Sequence, residues 1–283
     1  MFAITLVWGM NFVVAKLGIS EISPLLFTGI RFVMVAILLA PFLKVTKGQM
    51  GRVFAVAITA GGLHFALMFT GISITDASVA ALVAQLNVPF STFLSIIFLG
   101  EIVGWKRWVG MGLAFVGVAI ISFDPRVFSY LNGVALLAMG AFSMAVATIL
   151  MRQMEDVAPM QLQAWLAWIS APLLLIAALA FEGDIVSSAM NAPMWVWATI
   201  AYSAIGASIF GHAGMYYLVQ RYEVSLVGPL TLLAPVFGVL FSVTLLGEGL
   251  SSRIIIGGVV TLAGVAFVAA RQASAVGEEL EQV

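Results

Sequence analysis

The sequence predicts an all-α integral membrane protein with ten transmembrane helices, arranged as two inverted five-helix repeats around a central cavity. Three observations predict it. The chain is 63% hydrophobic and 9% charged, with a mean hydropathy of +1.14, where soluble domains average about 25% charged residues. Apolar runs of roughly 20 residues, the length that crosses a bilayer core, recur from end to end. The stretch Thr75–Glu101 also returns without a gap, at a constant offset of 147, as Tyr222–Glu248. Ser78 falls on Ser225, Phe90 on Phe237, and Leu99-Gly100-Glu101 on Leu246-Gly247-Glu248. The register continues through Gly110/Gly257 and Gly117/Gly264, so the chain reads as two copies of one unit.

The expected spans are 1–19, 23–43, 51–72, 76–99, 104–122, 131–152, 158–181, 193–219, 224–246 and 252–271. Each break carries turn residues, among them Ser23-Pro24, Lys47-Gly48, Asp124-Pro125, Ala158-Pro159, Glu182-Gly183-Asp184 and Ala192-Pro193. The opening MFAITLVWGMNF lacks a basic n-region and a small-residue cleavage site, so it reads as a helix and not as a signal peptide. The units are therefore residues 1–124, 125–271 and a polar tail, 272–283, expected to lack order.

With the N-terminus inside, the inner links and tail hold Lys44, Lys47, Arg52, Lys106, Arg107, Arg152, Arg221 and Arg271. The outer links hold Lys16, Arg126 and Arg253. Lys/Arg bias sets orientation, which places both termini in the cytoplasm. Five spans per copy, an odd number, then invert the second copy relative to the first. Inverted repeats with a site near the midplane are a transporter architecture.

Composition also excludes. With no cysteine there is no disulfide, no thiolate nucleophile and no Cys-type zinc site. A net charge of −1 gives no reason to expect a nucleic-acid partner. No cofactor or metal is expected, because the two histidines lack companion carboxylates. An intramembrane enzyme would need a nucleophile and base or a metal set; the two histidines sit in no HExxH or carboxylate-rich pattern, and a Ser–His pair is the one arrangement the sequence leaves open.

Candidate site residues come from polar groups at depth. Pro89 and Pro235 interrupt matching spans, and each removes the hydrogen bond that would use the carbonyl four residues back. Gln85 and Thr231 occupy those positions. Paired proline-interrupted segments in the two halves of a membrane chain point to a binding site, and the two prolines are expected to let the helices bend. His64 and His212, the only histidines, match at an offset of 148. Ionisable groups inside a membrane are functional candidates, against the alternative of a neutral imidazole bonded to a neighbouring helix. Trp8 and Asn11 mark the first span. Trp165 and Trp168 share a face of the seventh, deeper than an interfacial belt would place them, and Tyr216 adds a phenol to the eighth. Arg31 is expected to snorkel outward, to pair with Glu21 or Asp76, or to attract a substrate carboxylate. Glu101 and Glu248, at the ends of matching spans, are candidates for gating or for ion pairs fixing helix ends, with Lys106, Arg107 and Arg253 nearby. The Gly/Ala runs GMGLAFVGVA and GGVVTLAGVA permit close packing, within the chain or between copies as a weak homodimer.

The motifs WGMNFVVAK, IRFVMVA, ASVAAL…P…FLGE and YEVSLVGPLTLLAPVFGVLFSVTLLGE resemble the EamA-type drug/metabolite transporters over nearly the whole chain. The stretch RYEVSLVGPLTLLAPV is similar to bacterial exporters of cysteine-type and other amino acids. The resemblance implies a ten-helix basket around a central cavity and export of small metabolites, amino acids first, by alternating access. Trp8, Asn11, His64, Gln85, Trp165, His212, Tyr216 and Thr231 would then line the cavity. Export of drugs or other metabolites is the alternative.

Overall fold

A computed structural model describes residues 1–155, 157–212, 214, 215, 218 and 230–280, with side chains up to residue 269. All elements among the described residues are helical. Helix α1 is Phe2–Ile19, α2 is Pro24–Phe42, α3 is Met50–Ile74, α4 is Ala77–Leu99 and α5 is Trp105–Ser122. After a helical turn at Pro125–Phe128 come α6 (Leu131–Arg152), α7 (Pro159–Phe181), the short α8 (Ile185–Asn191), α9 (Met194–Phe210), α10 (Leu233–Leu246) and α11 (Ser252–Leu280).

Among the described residues seven helices are long and apolar enough to cross a membrane: α1 to α4, α6, α7 and the Ser252–Ala269 part of α11. Three expected spans look different. Helix α5 opens with Trp-Lys-Arg-Trp, which lowers its hydropathy. Helix α9 meets α8 at a bend of 103°, because Pro193 cannot continue a helix through residue 192. Asp184 caps α8, accepting from the Ser187 N–H at 3.0 Å, in a stretch expected to be a plain link. Helix α10 is a shorter apolar helix, and the expected spans 193–219 and 224–246 both include residues outside the described set. Helix α11 corrects another expectation: it runs to Leu280 and takes in most of the tail, whose Ala, Glu, Gln and Leu favour helix.

The packing partners follow from small residues. Helices α5 and α11 cross antiparallel, Gly110 against Gly264 and Gly117 against Gly257. A β-carbon on Gly117 would lie 2.6 Å from the Gly257 carbonyl oxygen, and one on Gly264 would lie 2.6 Å from that of Gly110. Backbones this close leave no room for a side chain. The face carrying Gly110 and Gly117 therefore packs inside the chain. Helix α2 packs on α7, α1 on α10 and α9, and α6 on α3 and the second half of α4. Large apolar side chains such as Phe2, Ile37, Phe98, Ile176 and Phe181 stay exposed, as a bilayer-facing surface requires.

Helix ends are closed by side chains from other helices. Gly100 and Gly247, at φ +68° and +67°, end α4 and α10 in the left-handed region that glycine adopts without strain. The Glu101 and Glu248 N–H groups then reach back to the carbonyls of Ser95 and Ser242, at 3.4 and 3.3 Å. The Glu182 carboxylate accepts from the Leu25 and Leu26 N–H groups at 2.7 and 2.9 Å and from the Ser23 hydroxyl at 2.5 Å, closing the start of α2. Lys16 donates to the carbonyls of Ile72, Ser73 and Thr75 at 2.7, 3.1 and 2.6 Å. A cation there satisfies the carbonyls that a helix C-terminus leaves unpaired. Lys16→Met is expected to lower unfolding stability in detergent by about 1 kcal/mol, and an unchanged thermal midpoint would show that water serves those carbonyls equally well.

Candidate substrate site

The site is built on two departures from α-helical geometry. Residues Ala57–Leu63 of α3 and Tyr202–Phe210 of α9 are wound as π-helix, which is rare and concentrates at functional sites. At the repeat offset the two segments end on matching residues, Leu63 and Phe210. His64 follows the first directly, and His212 lies two residues past the second. Both segments contain glycine, Gly61-Gly62 and Gly206. Neighbouring helices bond to the backbone of the widened turns. Ser170 and Ser143 donate to the Ala57 and Thr59 carbonyls at 3.0 and 2.8 Å, and the Trp8 indole donates to the Ala207 carbonyl at 3.1 Å.

Each imidazole turns Nδ1 onto a carbonyl: His64 onto Gly140 of α6 and His212 onto Ser208 of its own helix, both at 2.8 Å. A carbonyl only accepts, so Nδ1 carries the proton, and in the neutral ring Nε2 is left as the acceptor. The Trp8 ring lies 5.8 Å from that of His212. Asn11 Oδ1 accepts from the Ser203 hydroxyl at 2.7 Å, and the Tyr202 hydroxyl donates to the Val7 carbonyl at 3.1 Å.

Arg31 joins the two halves of this cluster. Its Nε and Nη2 donate to the Ser208 hydroxyl oxygen at 3.1 and 2.8 Å, and that hydroxyl donates to the Ser203 carbonyl at 3.1 Å. On its other side the guanidinium lies 4.8 Å from the Phe65 ring centre, and the His64 ring lies 4.7 Å from the same ring. Arg31 is 2% exposed. It neither snorkels nor pairs with Glu21 or Asp76, because Asp76 is held by Arg126 at 2.6 Å and by the Tyr130 hydroxyl at 2.8 Å.

Trp8, Asn11, His64, His212 and Arg31 thus come together. Trp165 does not. Its indole N–H donates to the Lys44 carbonyl at 2.8 Å, beside Gln161, which bonds the same carbonyl at 2.6 Å. An indole with a polar tip on a loop beyond the end of α2 is an interfacial anchor, which corrects the cavity-lining expectation. Trp168 likewise donates to the Ala36 carbonyl, at 3.1 Å.

Gln85 sits in a 3₁₀ turn, Ala84–Leu86, that interrupts α4 just before Pro89. Its side chain makes no hydrogen bond among the described residues. Thr231 lies in the turn before α10, its carbonyl accepting from the Ala234 N–H at 3.0 Å ahead of Pro235. Tyr216 lies outside the described residues. Glu248 caps α4: its carboxylate accepts from the Ala77 and Ser78 N–H groups at 2.7 and 3.0 Å and from the Ser78 hydroxyl at 2.5 Å. Glu101 pairs with Arg152 at 2.5 Å and accepts from the Ser95 hydroxyl at 2.9 Å. It lines a small cleft with Arg107 and Arg152. Partial burial resists its ionisation, but the Arg152 and Ser95 bonds outweigh this and hold its carboxyl below the ordinary value. Sequence reasoning missed Ser203 and Ser208. Their spacing of five, one π-turn, in a glycine-containing stretch ahead of a histidine was the available signal.

A buried polar centre enclosed by long apolar helices defines a multi-pass membrane protein. The chain belongs to the EamA-like transporter family, whose model matches residues 1–123 and 131–270, so it is a transporter-family protein and not an enzyme. A relative from Salmonella typhimurium, called "Probable amino-acid metabolite efflux pump", is 31% identical over 92% of this chain and 90% of its own. A second protein of that name, from Escherichia coli, is 30% identical at the same coverage. An "Uncharacterized transporter" from Archaeoglobus fulgidus is 27% identical over 92% of this chain and 94% of its own. One solved crystal structure shares the fold, with a TM-score of 0.65 at 20% identity over 97% of this chain and 96% of that one.

Proposed function

We propose that this protein exports small metabolites, amino acids first among them, across the bacterial inner membrane by alternating access. The observation that carries the proposal is the cluster of half-buried Trp8, Asn11, His64 and His212 around the buried Arg31, drawn from both halves of the chain. Polar groups at this depth are costly in a membrane and mark solute pathways. The names of the two efflux-pump relatives support amino acids as the solute class.

The two halves act as inverted five-helix repeats, residues 1–124 and 125–271, with both termini cytoplasmic. Three relations support this reading. Gly110 meets the counterpart of Gly117, and Gly117 meets the counterpart of Gly110, as a two-fold axis between α5 and α11 requires. The pairing of α1 with α10 and α9 answers the pairing of α6 with α4 and α3. The two π-segments also end at matching positions. The breaks beside Pro89 and Pro235 are where the central helices bend, and Gln85 and Thr231 offer polar groups there.

The test is uptake of labelled threonine, methionine, cysteine, phenylalanine and tryptophan into proteoliposomes, with and without a pH gradient. Saturable uptake of some members is expected. Asn11→Ala and His64→Ala, checked for folding by their thermal midpoints, are expected to reduce it roughly tenfold or more. Uptake that proceeds equally without the gradient makes the carrier facilitative. Folded wild-type protein that takes up none of the five sinks the amino-acid reading and leaves export of drugs or other metabolites.

A further inference from the structure

A guanidinium carries five N–H donors in a planar fork. Arg31 uses two of its three nitrogens, and both meet one neutral oxygen, that of Ser208. That oxygen is already committed through its own proton to the Ser203 carbonyl. Nη1 is buried with no hydrogen-bond partner among the described residues. The described carboxylates near helix ends are occupied elsewhere: Asp76 by Arg126, Asp124 by Ser251, Glu101 by Arg152, Glu182 at the start of α2 and Glu248 at the start of α4. The rings of Phe65, Phe69 and Phe32, at 4.8, 5.5 and 5.9 Å from the guanidinium carbon, compensate a buried cation only in part. A desolvated charge without a counter-ion is among the costliest arrangements in a protein. A lysine would titrate to neutrality there, but an arginine cannot. Among the described residues no anion answers this cation.

We infer that Arg31, assisted by Ser208, seats the carboxylate of the transported solute, so that carriage selects for carboxylic acids over their neutral or cationic analogues. This rests on the exporter reading above and deepens it. The fork geometry suits a carboxylate, which accepts two parallel N–H bonds, with Nη1 supplying one that no group among the described residues takes. The phenyl rings around the guanidinium exclude water from the pair and strengthen it. Trp8 and Asn11 of α1 and the two imidazoles, which follow the π-segments of α3 and α9, stand around the same point. Organic cations are disfavoured by the same charge.

Two readouts test this. In detergent, the thermal midpoint of the wild-type protein is measured with L-methionine, L-methioninamide, sodium propionate and sodium chloride. In proteoliposomes, unlabelled methionine and methioninamide compete with whichever amino acid is carried. Stabilisation by the two carboxylates, not by the amide or chloride, is expected, as binding to the folded state raises its stability. Arg31→Gln is expected to weaken the carboxylates roughly tenfold to a hundredfold and to leave the amide unchanged, with Arg31→Lys intermediate. If Arg31→Gln does not fold, Ser208→Ala serves in its place, with a smaller loss confined to the acids.

Equal effects of acid and amide on the wild type, or stabilisation by chloride matching that by propionate, would overturn the inference. So would a folded Arg31→Gln or Ser208→Ala protein that still prefers the acid to the same degree. A wild type that carries no amino acid yet is stabilised by propionate through Arg31 would fail the amino-acid reading and leave the carboxylate seat standing.

Discussion

Gly117→Ala is expected to lower the stability of the folded protein by about 2–3 kcal/mol, the cost of overpacking an interior with no slack. The added β-carbon would sit 2.5 Å from the Thr261 backbone nitrogen and 2.6 Å from the Gly257 oxygen. Neither is the movable end of a side chain, so α5 and α11 must part. Parting loosens the neighbouring Gly110–Gly264 contact as well, because both belong to the same crossing. Gly112→Ala is the control, since a β-carbon there meets nothing within 4 Å. It is expected to leave stability unchanged or raise it by up to about 1 kcal/mol through helix propensity. Thermal unfolding of both variants in one detergent reads the difference. Equal midpoints would mean that the crossing does not hold the two halves together.

Glu248→Ala is expected to cost about 2 kcal/mol. Three donors at the start of α4, two N–H groups and the Ser78 hydroxyl, converge on this carboxylate. Bonds to a charged acceptor are stronger than neutral ones, and negative charge at a helix N-terminus also answers the helix dipole. The group is only half-buried, so water recovers part of the loss. Glu248→Gln keeps an acceptor without the charge and is expected to lose about half as much. Glu182→Ala, at the start of α2, is expected to match Glu248→Ala because its bonds repeat the pattern. If Glu248→Ala were as stable as wild type but altered transport, the carboxylate would be a gating group and not a cap.

Much of this was legible before any coordinates. Hydropathy marked α1 to α4, α6 and α7 because apolar runs long enough to span a bilayer have little other use in water. The offset of 147 aligns the paired glycines, and the histidines, at 148, and the prolines, at 146, fall one step to either side of it. What failed did so for a physical reason. Trp165 is one turn and a half into its helix, and depth along a helix does not say which loop folds over its end. The sequence allows Arg31 three fates because it places no carboxylate in its own helix. Which group from another helix would meet it was not visible.

The sequence by itself determined that this is a helical membrane chain with polar groups at depth, since these are properties of local composition and period. Only the tertiary structure decided that the glycine faces of α5 and α11 meet each other, that Glu182 and Glu248 close helices from elsewhere in the chain, and that Arg31 lies beside Ser208 between two histidines. Those outcomes depend on which helix packs against which. That choice is settled by the fit of surfaces far apart in the chain, which no local pattern encodes.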